Sequence, residues 1–303
     1  VVIRIFAFVH LFGIFGPHAG IRITQPQVLD AHNATDTRKA VVPKILHQIY
    51  QNWNDPNDST LPSHWEDARK TCINLNPDWE FKLWDITSSR AFIEVEYPWF
   101  LESYDAYKFP IQRVDTLKYF VIRHYGGIYV DLDNGCAASL EPLTYLPAFT
   151  TDGDVGALSN NIIGGEPGHP LFRLLTDKLH SYNWNWFLPY IIISYTSGQW
   201  FVTAMFEKYH ALLRRDGTVK GYDELGAHFS PLHRVLMSGQ PGADPWVFFT
   251  QTKGDSWENW DNSYFAWVGD HIIRVVLSIT AMVALLIASC CLCCWCFRRR
   301  SRR

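Results

Sequence analysis

The stretch richest in potential chemistry is Tyr125-Gly126-Gly127-Ile128-Tyr129-Val130-Asp131-Leu132-Asp133. Two glycines stop a helix, a short apolar run drives a strand, and the strand ends in two carboxylates one residue apart. Side chains alternate along a strand, so Asp131 and Asp133 are expected on one face. Two carboxylates held that close repel unless a cation sits between them. At a strand end they suit a divalent metal that also binds a diphosphate. Asp115 and Lys118 lie three apart in the preceding helical run and share a helix face. Asp115 can accept hydrogen bonds from sugar hydroxyls and Lys118 can meet negative charge. A surface ion pair is the competing reading.

These residues need elements to position them. Pro110 to Tyr125 reads as a helix with Pro110 in its first turn and an apolar stripe of Val114, Leu117, Val121, Ile122 and Tyr125. Val41 to Tyr50 is the expected first sheet strand, and Trp79 to Trp84 the second, with Asp85 capping the helix after it. Leu61 to Asn74 has helical character, with Pro62 near its start. Val155 to Ser159 reads as a further strand, Asn160 to Gly165 as a polar turn, and His169-Pro170 as a helix start. Such alternation predicts an α/β fold with a mostly parallel sheet, and ligands at the carboxyl ends of its strands. The aromatic stretch Trp184 to Trp200, broken by Pro189 and Gly198, suggests a membrane-facing surface.

Of 303 residues, 48% are apolar, enough for a large core. Five of the last six residues are Arg; 27 basic residues less these 5 leave 22 against 30 acidic, a body at −8. No basic stripe of the kind a nucleic-acid binder uses is present. Ile272 to Cys296 is apolar enough to cross a bilayer, and the arginines behind it place the C-terminus in the cytosol. The apolar start is read as a signal peptide or a signal anchor, the anchor being preferred. The expected domains are an anchor at 1–23, a stem at 24–40, a lumenal body at 41–268, a transmembrane helix at 271–297 and a basic tail at 298–303. Sequons at Asn33 and Asn57 fit a lumenal body. Cys72 and Cys136 either pair or stand as two buried thiols. The five cysteines near the end, Cys290 to Cys296, lack a distant partner pair for zinc and suit S-palmitoylation or small-residue packing.

The runs Gln112 to Phe120 and His124 to Asp133 closely resemble the DXD signature of the glycosyltransferases that include fungal inositol phosphoceramide mannosyltransferases and initiating α-1,6-mannosyltransferases. Pro43 to Ile49 resembles their first strand, and the likeness runs to about Trp260. It implies a GT-A-like nucleotide-sugar-binding domain, flanked here by N- and C-terminal membrane helices. It implies a Mn2+ or Mg2+ ion on Asp131 and Asp133, GDP-mannose as donor with its sugar held by Asp115, and retention at the anomeric carbon. His47, Lys118, Ser256 and Trp257 become donor-binding residues, with Asn160 and Asn161 towards the acceptor side. Ser197-Gly198-Gln199 resembles a turn shaping the acceptor pocket. Two positions depart from the family pattern: Lys118 stands where arginine is usual, and Asp255 replaces a serine in the Gly254 to Trp257 element. The implied acceptor is inositol phosphoceramide, in the Golgi membrane, with a small regulatory membrane subunit as a possible partner. Alternatives are a mannosyl- or galactosyltransferase acting on glycan or protein, a non-catalytic membrane subunit keeping the fold, and a metal-dependent phosphohydrolase.

Overall fold

The computed structural model describes residues 16–34, 39–52, 55, 58–154, 156–185, 188–216, 230–239, 242–252, 254 and 259–300. The chain divides into two compact units: residues up to 187 together with 191–256, and residues 188–190 together with 257–303.

In the first unit the strands are β1 (Ile21–Ile23), β2 (Ile45–Ile49), β3 (Glu80–Trp84), β4 (Gly127–Val130), β5 (Asn134–Cys136), β6 (Ala148–Asp152), β7 (Ser159–Gly165), β8 (His233–Leu236) and β9 (Phe249–Gln251). Seven of them form one sheet in the order β1-β8-β6-β7-β4-β2-β3, and β5 pairs with β9. Only β7 runs against its neighbours β6 and β4; the other pairings in this sheet are parallel. The helices are α1 (Gln25–Asn33), α2 (Ser63–Leu75), α3 (Ile86–Glu96), α4 (Pro98–Asp105), α5 (Pro110–Tyr125), α6 (Pro170–Tyr182), α7 (Pro189–Thr196) and α8 (Gln199–Asp216), α7 beginning in the second unit. The expected α/β body with a mostly parallel sheet is what forms.

Two apolar layers flank the sheet. Tyr129 and Ile163 pack with Leu117 and Phe120 of α5, Leu175 of α6 and Met205 of α8. Their strand neighbours Ile128, Val130 and Ile162 pack with Val28 of α1, Cys72 of α2 and Phe248. This is the two-residue period of a strand buried on both faces. Helix α5 lies deep in the first layer. Gln112, Asp115, Thr116 and Lys118 are buried along with its apolar stripe, so it is enclosed rather than one-sided. It stops at Gly126, whose φ of 68° is open to glycine. At Gly127 (φ 97°) a Cβ would strike the Ile45 carbonyl oxygen, which is how closely β4 lies against β2.

Several expectations are corrected. The first sheet strand is Ile21–Ile23, inside the stretch read as an anchor; residues 1–15 lie outside the described residues. The stretch read as a stem carries α1, closed by a Thr24 capping box. The segment read as a polar turn at Asn160–Gly165 is most of β7. Its glycines are needed because the rings of Phe149 and Phe172 occupy the space a Cβ would take at Gly164 and Gly165. The expected strand from Val155 does not form: Gly156, Ala157 and Leu158 lie outside any strand, and Val155 is outside the described residues. The aromatic stretch after Trp184 is no surface at its centre: Ile192, Ile193 and Tyr195 are buried.

Cys72 and Cys136 are joined in a disulfide that closes a loop of 64 residues and ties α2 to β5. Replacing both by serine is expected to cost about 2–4 kcal/mol, chiefly through the freed unfolded chain. Denaturant unfolding of the double variant beside the parent checks this.

The second unit contains α9 (Asn262–Asp270) and α10 (Ile272–Arg300). Among the described residues α10 is the one helix long and apolar enough to cross a membrane, with a mean hydropathy of 2.4 over Ile272–Cys290.

Candidate active site

Strand β4 ends at Val130, before both carboxylates that the sequence suggests it carries. The Asp131 amide donates to the Asn161 carbonyl (2.8 Å), and Asn134 N–H then donates to the Asp131 carbonyl (2.9 Å). Asp131 to Asn134 is therefore a tight turn with Leu132 buried beneath it. Turn geometry, not strand alternation, sets the directions of Asp131 and Asp133. The turn lies at the carboxyl end of a central strand, as expected.

Lys118 is the hub of the site. Its side chain is 2% exposed, and its ammonium lies 3.3 Å from Asp131 Oδ1, 3.3 Å from Asp115 Oδ1 and 3.3 Å from the Asn160 carbonyl. It also sits 4.7 Å from the centre of the Tyr129 ring. Burial pulls its pKa down, but the carboxylates of Asp131 and Asp115 together outweigh burial and hold it above the usual lysine value. Burial raises the pKa of Asp115, against the pull of Lys118. Asp115 is fully engaged: Asn160 Nδ2 donates to Oδ1 (2.9 Å) and Ser197 Oγ to Oδ2 (3.0 Å). Tyr119 closes the ring, donating to the Ser197 carbonyl (2.5 Å) while its oxygen accepts from Asn160 Nδ2 (3.0 Å).

Asp131 is 31% exposed, and Tyr129 Oη donates to its Oδ1 at 2.5 Å. Both Lys118 and Tyr129 thus hold the same carboxylate oxygen. Asp133 is reached from the far end of the chain. Thr252 donates to its carbonyl through N–H (2.7 Å) and Oγ1 (3.0 Å), and a Cβ on Gly254 would strike its carboxylate. The glycine of the late element is thereby placed beside Asp133. Ser256 and Trp257, read as donor-binding, lie outside the described residues, as does Asp255.

The donor set fits a metal shared with substrate. Among the described residues no group of three or more His, Cys, Asp or Glu side chains gathers to cage an ion. Oδ1 of Asp131 is committed to Tyr129 and Lys118; a cation at this turn would be met by its Oδ2 and by the Asp133 carboxylate. One or two carboxylates completed by phosphate oxygens and water is the usual Mg2+ arrangement.

Asn161 supports the turn. Its Oδ1 accepts from Thr151 and Ser159 (both 2.7 Å), and its Nδ2 donates to Asn134 Oδ1 (3.3 Å). His47 is also structural in this geometry. It is fully buried; Nε2–H donates to the Gly126 carbonyl (2.9 Å), and Nδ1 accepts from Trp84 Nε1 (3.2 Å). Burial lowers its pKa to about 4. Because the folded value lies below the unfolded one, this stability is complete above pH ~6.5 and is lost as pH falls towards 4, by up to about 3 kcal/mol. Urea unfolding from neutral pH to pH ~4.5 should show that loss in the parent, and a flatter profile in His47→Gln.

Sequence reasoning passed over Tyr129 and Tyr119. Both carried a signal: Tyr129 lies two residues before Asp131, and Tyr119 lies four after Asp115 on one helix face.

An α/β body with an Asp-x-Asp turn at the carboxyl end of a central strand defines a class. Residues 62–150, from α2 to the middle of β6, match the family described as "Glycosyltransferase sugar-binding region containing DXD motif". Over that segment the chain matches the DXD-containing glycosyltransferases. Over 239 residues it is 34% identical to mannosyl phosphorylinositol ceramide synthase SUR1 of Saccharomyces cerevisiae, covering 78% of this chain and 57% of that protein. It is 36% identical to CSH1 of the same yeast, another protein of that name (78% and 58%). It is 29% identical to inositol phosphoceramide mannosyltransferase 1 of Schizosaccharomyces pombe, covering 93% and 84%. The chain thus spans less than two thirds of the two budding-yeast relatives. Among solved structures it is similar to the PaToxG glycosyltransferase, at 13% identity and a TM-score of 0.40 over 70% of this chain and 78% of that one.

Proposed function

We propose that this chain is a metal-dependent, retaining mannosyltransferase that moves mannose from GDP-mannose to the inositol of inositol phosphoceramide. The observation that carries the reading is the buried Asp115–Lys118–Asp131 cluster beside the Asp131–Asp133 turn, in a chain 34–36% identical to proteins named for mannosyl phosphorylinositol ceramide synthesis.

In this reading the body has a GT-A-like fold, and Asp131 and Asp133 hold Mn2+ or Mg2+, which neutralises the leaving diphosphate. The chain's own residues do the rest. Lys118 and Tyr129 fix Oδ1 of Asp131, so that Oδ2 is the oxygen presented outward. Asp115, held by Ser197 and Asn160, is the acceptor for the donor sugar's hydroxyls; a sugar hydroxyl takes the place of one of these internal donors. The near-complete burial of Asp115 and Lys118 keeps bulk water from their part of the site, which limits hydrolysis.

The cellular setting is part of the proposal. Helix α10 crosses the Golgi membrane with the arginines at its end in the cytosol, which puts the body in the lumen. A disulfide between Cys72 and Cys136 suits that oxidising side. A lipid acceptor in the same membrane gains in effective concentration from the tether.

The test is transfer by the purified chain in detergent with Mn2+, supplied in turn with GDP-mannose, GDP-glucose and UDP-galactose, and with inositol phosphoceramide or free oligosaccharide as acceptor. Mannosylated lipid formed from GDP-mannose alone is the expected product. Transfer only to oligosaccharide, or none from any donor, overturns the reading.

A further inference from the structure

Helix α9 in the second unit has two faces of different character. Asp261 and Phe265, four residues apart, hold Tyr190 in the first turn of α7. Asp261 is fully buried and its Oδ2 accepts from the Tyr190 amide (2.9 Å), while the Phe265 ring stacks on Tyr190 with centroids 4.9 Å apart. Tyr264 and Trp267, three residues apart, share another face of the helix, and Trp260 lies just before its start. Trp260, Tyr264 and Trp267 are 75%, 58% and 52% exposed. A third flank carries Ser263 and Ala266, both small. From Asn262 to Gly269 the helix has no charged residue.

Three exposed aromatic rings, two on one uncharged face of α9 and one just before it, require an explanation, because large apolar side chains are costly to leave in water. The adjoining helix supplies one. Only His271 separates α9 from α10; its amide donates to the Trp267 carbonyl (3.1 Å), and its carbonyl accepts from the Val275 amide (3.0 Å). The helical path is nearly continuous. Trp267 stands five residues before the first apolar residue of the span, about 7.5 Å along a helix. Trp295 stands at the other end, just before the arginines. The 28 residues from Trp267 to Trp295 cover about 42 Å as helix, which matches a bilayer with its headgroup layers. Trp and Tyr, apolar rings with one polar atom, are the residues that settle at that depth.

We propose that Trp260, Tyr264 and Trp267 form an interfacial anchor, inserted in the lipid headgroup layer on the side of the membrane where α10 begins. The inference rests on the membrane reading of α10 and is independent of the donor and the acceptor. Its partner is the bilayer surface itself. The small-residue flank at Ser263 and Ala266 faces water, and the Asp261–Phe265 face keeps its contact with Tyr190.

The full chain is placed in nanodiscs of alkyne-tagged phosphatidylcholine, with the photoreactive residue p-benzoylphenylalanine at one position at a time. Positions 264 and 267 are expected to give lipid adducts at least about fivefold above position 266. A probe at position 285, in the exposed apolar stretch of α10, serves as the membrane reference. Lipid labelling at 285 with none at 264 and 267, or adducts of those two with protein, overturns the anchor and leaves the span standing. Absence of lipid labelling at 285 overturns the membrane reading and the anchor with it.

Discussion

Asp133→Ala is expected to lower the proposed mannosyl transfer at least about a thousandfold while leaving the unfolding midpoint nearly unchanged. Asp133 sits on a half-buried turn whose shape is held by backbone bonds: Asn134 to Asp131, and Thr252 to the Asp133 carbonyl. Removing the carboxylate leaves those bonds in place. It also leaves Asp131 as the one carboxylate of the turn, with Oδ1 already held by Lys118 and Tyr129. A cation then has a single protein oxygen there in place of two carboxylates. Mn2+ binding measured by electron paramagnetic resonance in the presence of GDP should weaken in parallel. Activity lost with Mn2+ binding intact would remove Asp133 from the metal site.

Lys118→Met is expected to act through stability first. The ammonium is the buried counter-charge to Asp115 and Asp131. Methionine matches its length but leaves two carboxylates facing each other, a loss of about 3–5 kcal/mol. The loss depends on pH with a definite sign. Burial already raises the Asp115 pKa, and losing the lysine raises it further. A carboxyl whose folded pKa exceeds its unfolded one binds more protons when folded, so stability falls as pH rises through that window. The deficit of Lys118→Met should therefore be smaller at pH ~5 than at pH ~7.5 in denaturant titrations. Lys118→Arg keeps the charge and should recover much of the loss. An equal deficit for Met at both pH values would mean that the lysine serves packing rather than charge.

How much of this was readable in advance depended on the range of the interactions. Helix α5, its stop at Gly126 and the strand after it arise from local signals: Pro110 at the start, a 3.6-residue apolar stripe, and two glycines. The Asp85 cap was legible for the same reason, because Ser88 answers it three residues later (2.7 Å). Strand β7 was not. Its double glycine reads locally as a turn, and only Phe149 and Phe172 packing against it explain why a strand needs glycine there. Nor was β1, three residues whose place is set by pairing with β8, more than two hundred residues later.

For the site, the sequence by itself determined which groups are present: Asp131 and Asp133 after a Gly-Gly strand, and Asp115 and Lys118 on one helix face. Those spacings are short, and chain geometry over two or three residues has few options. Only the tertiary structure decided what the groups do to one another. It turned the Asp pair into a tight turn, committed one Asp131 oxygen to Lys118 and Tyr129, and brought Ser197 to Asp115 and Gly254 to Asp133. It also withdrew His47 into the core as a neutral strand tie. Apart from Tyr129, two residues from Asp131, these partners come from segments thirteen to more than a hundred residues away, and burial has no period in the sequence.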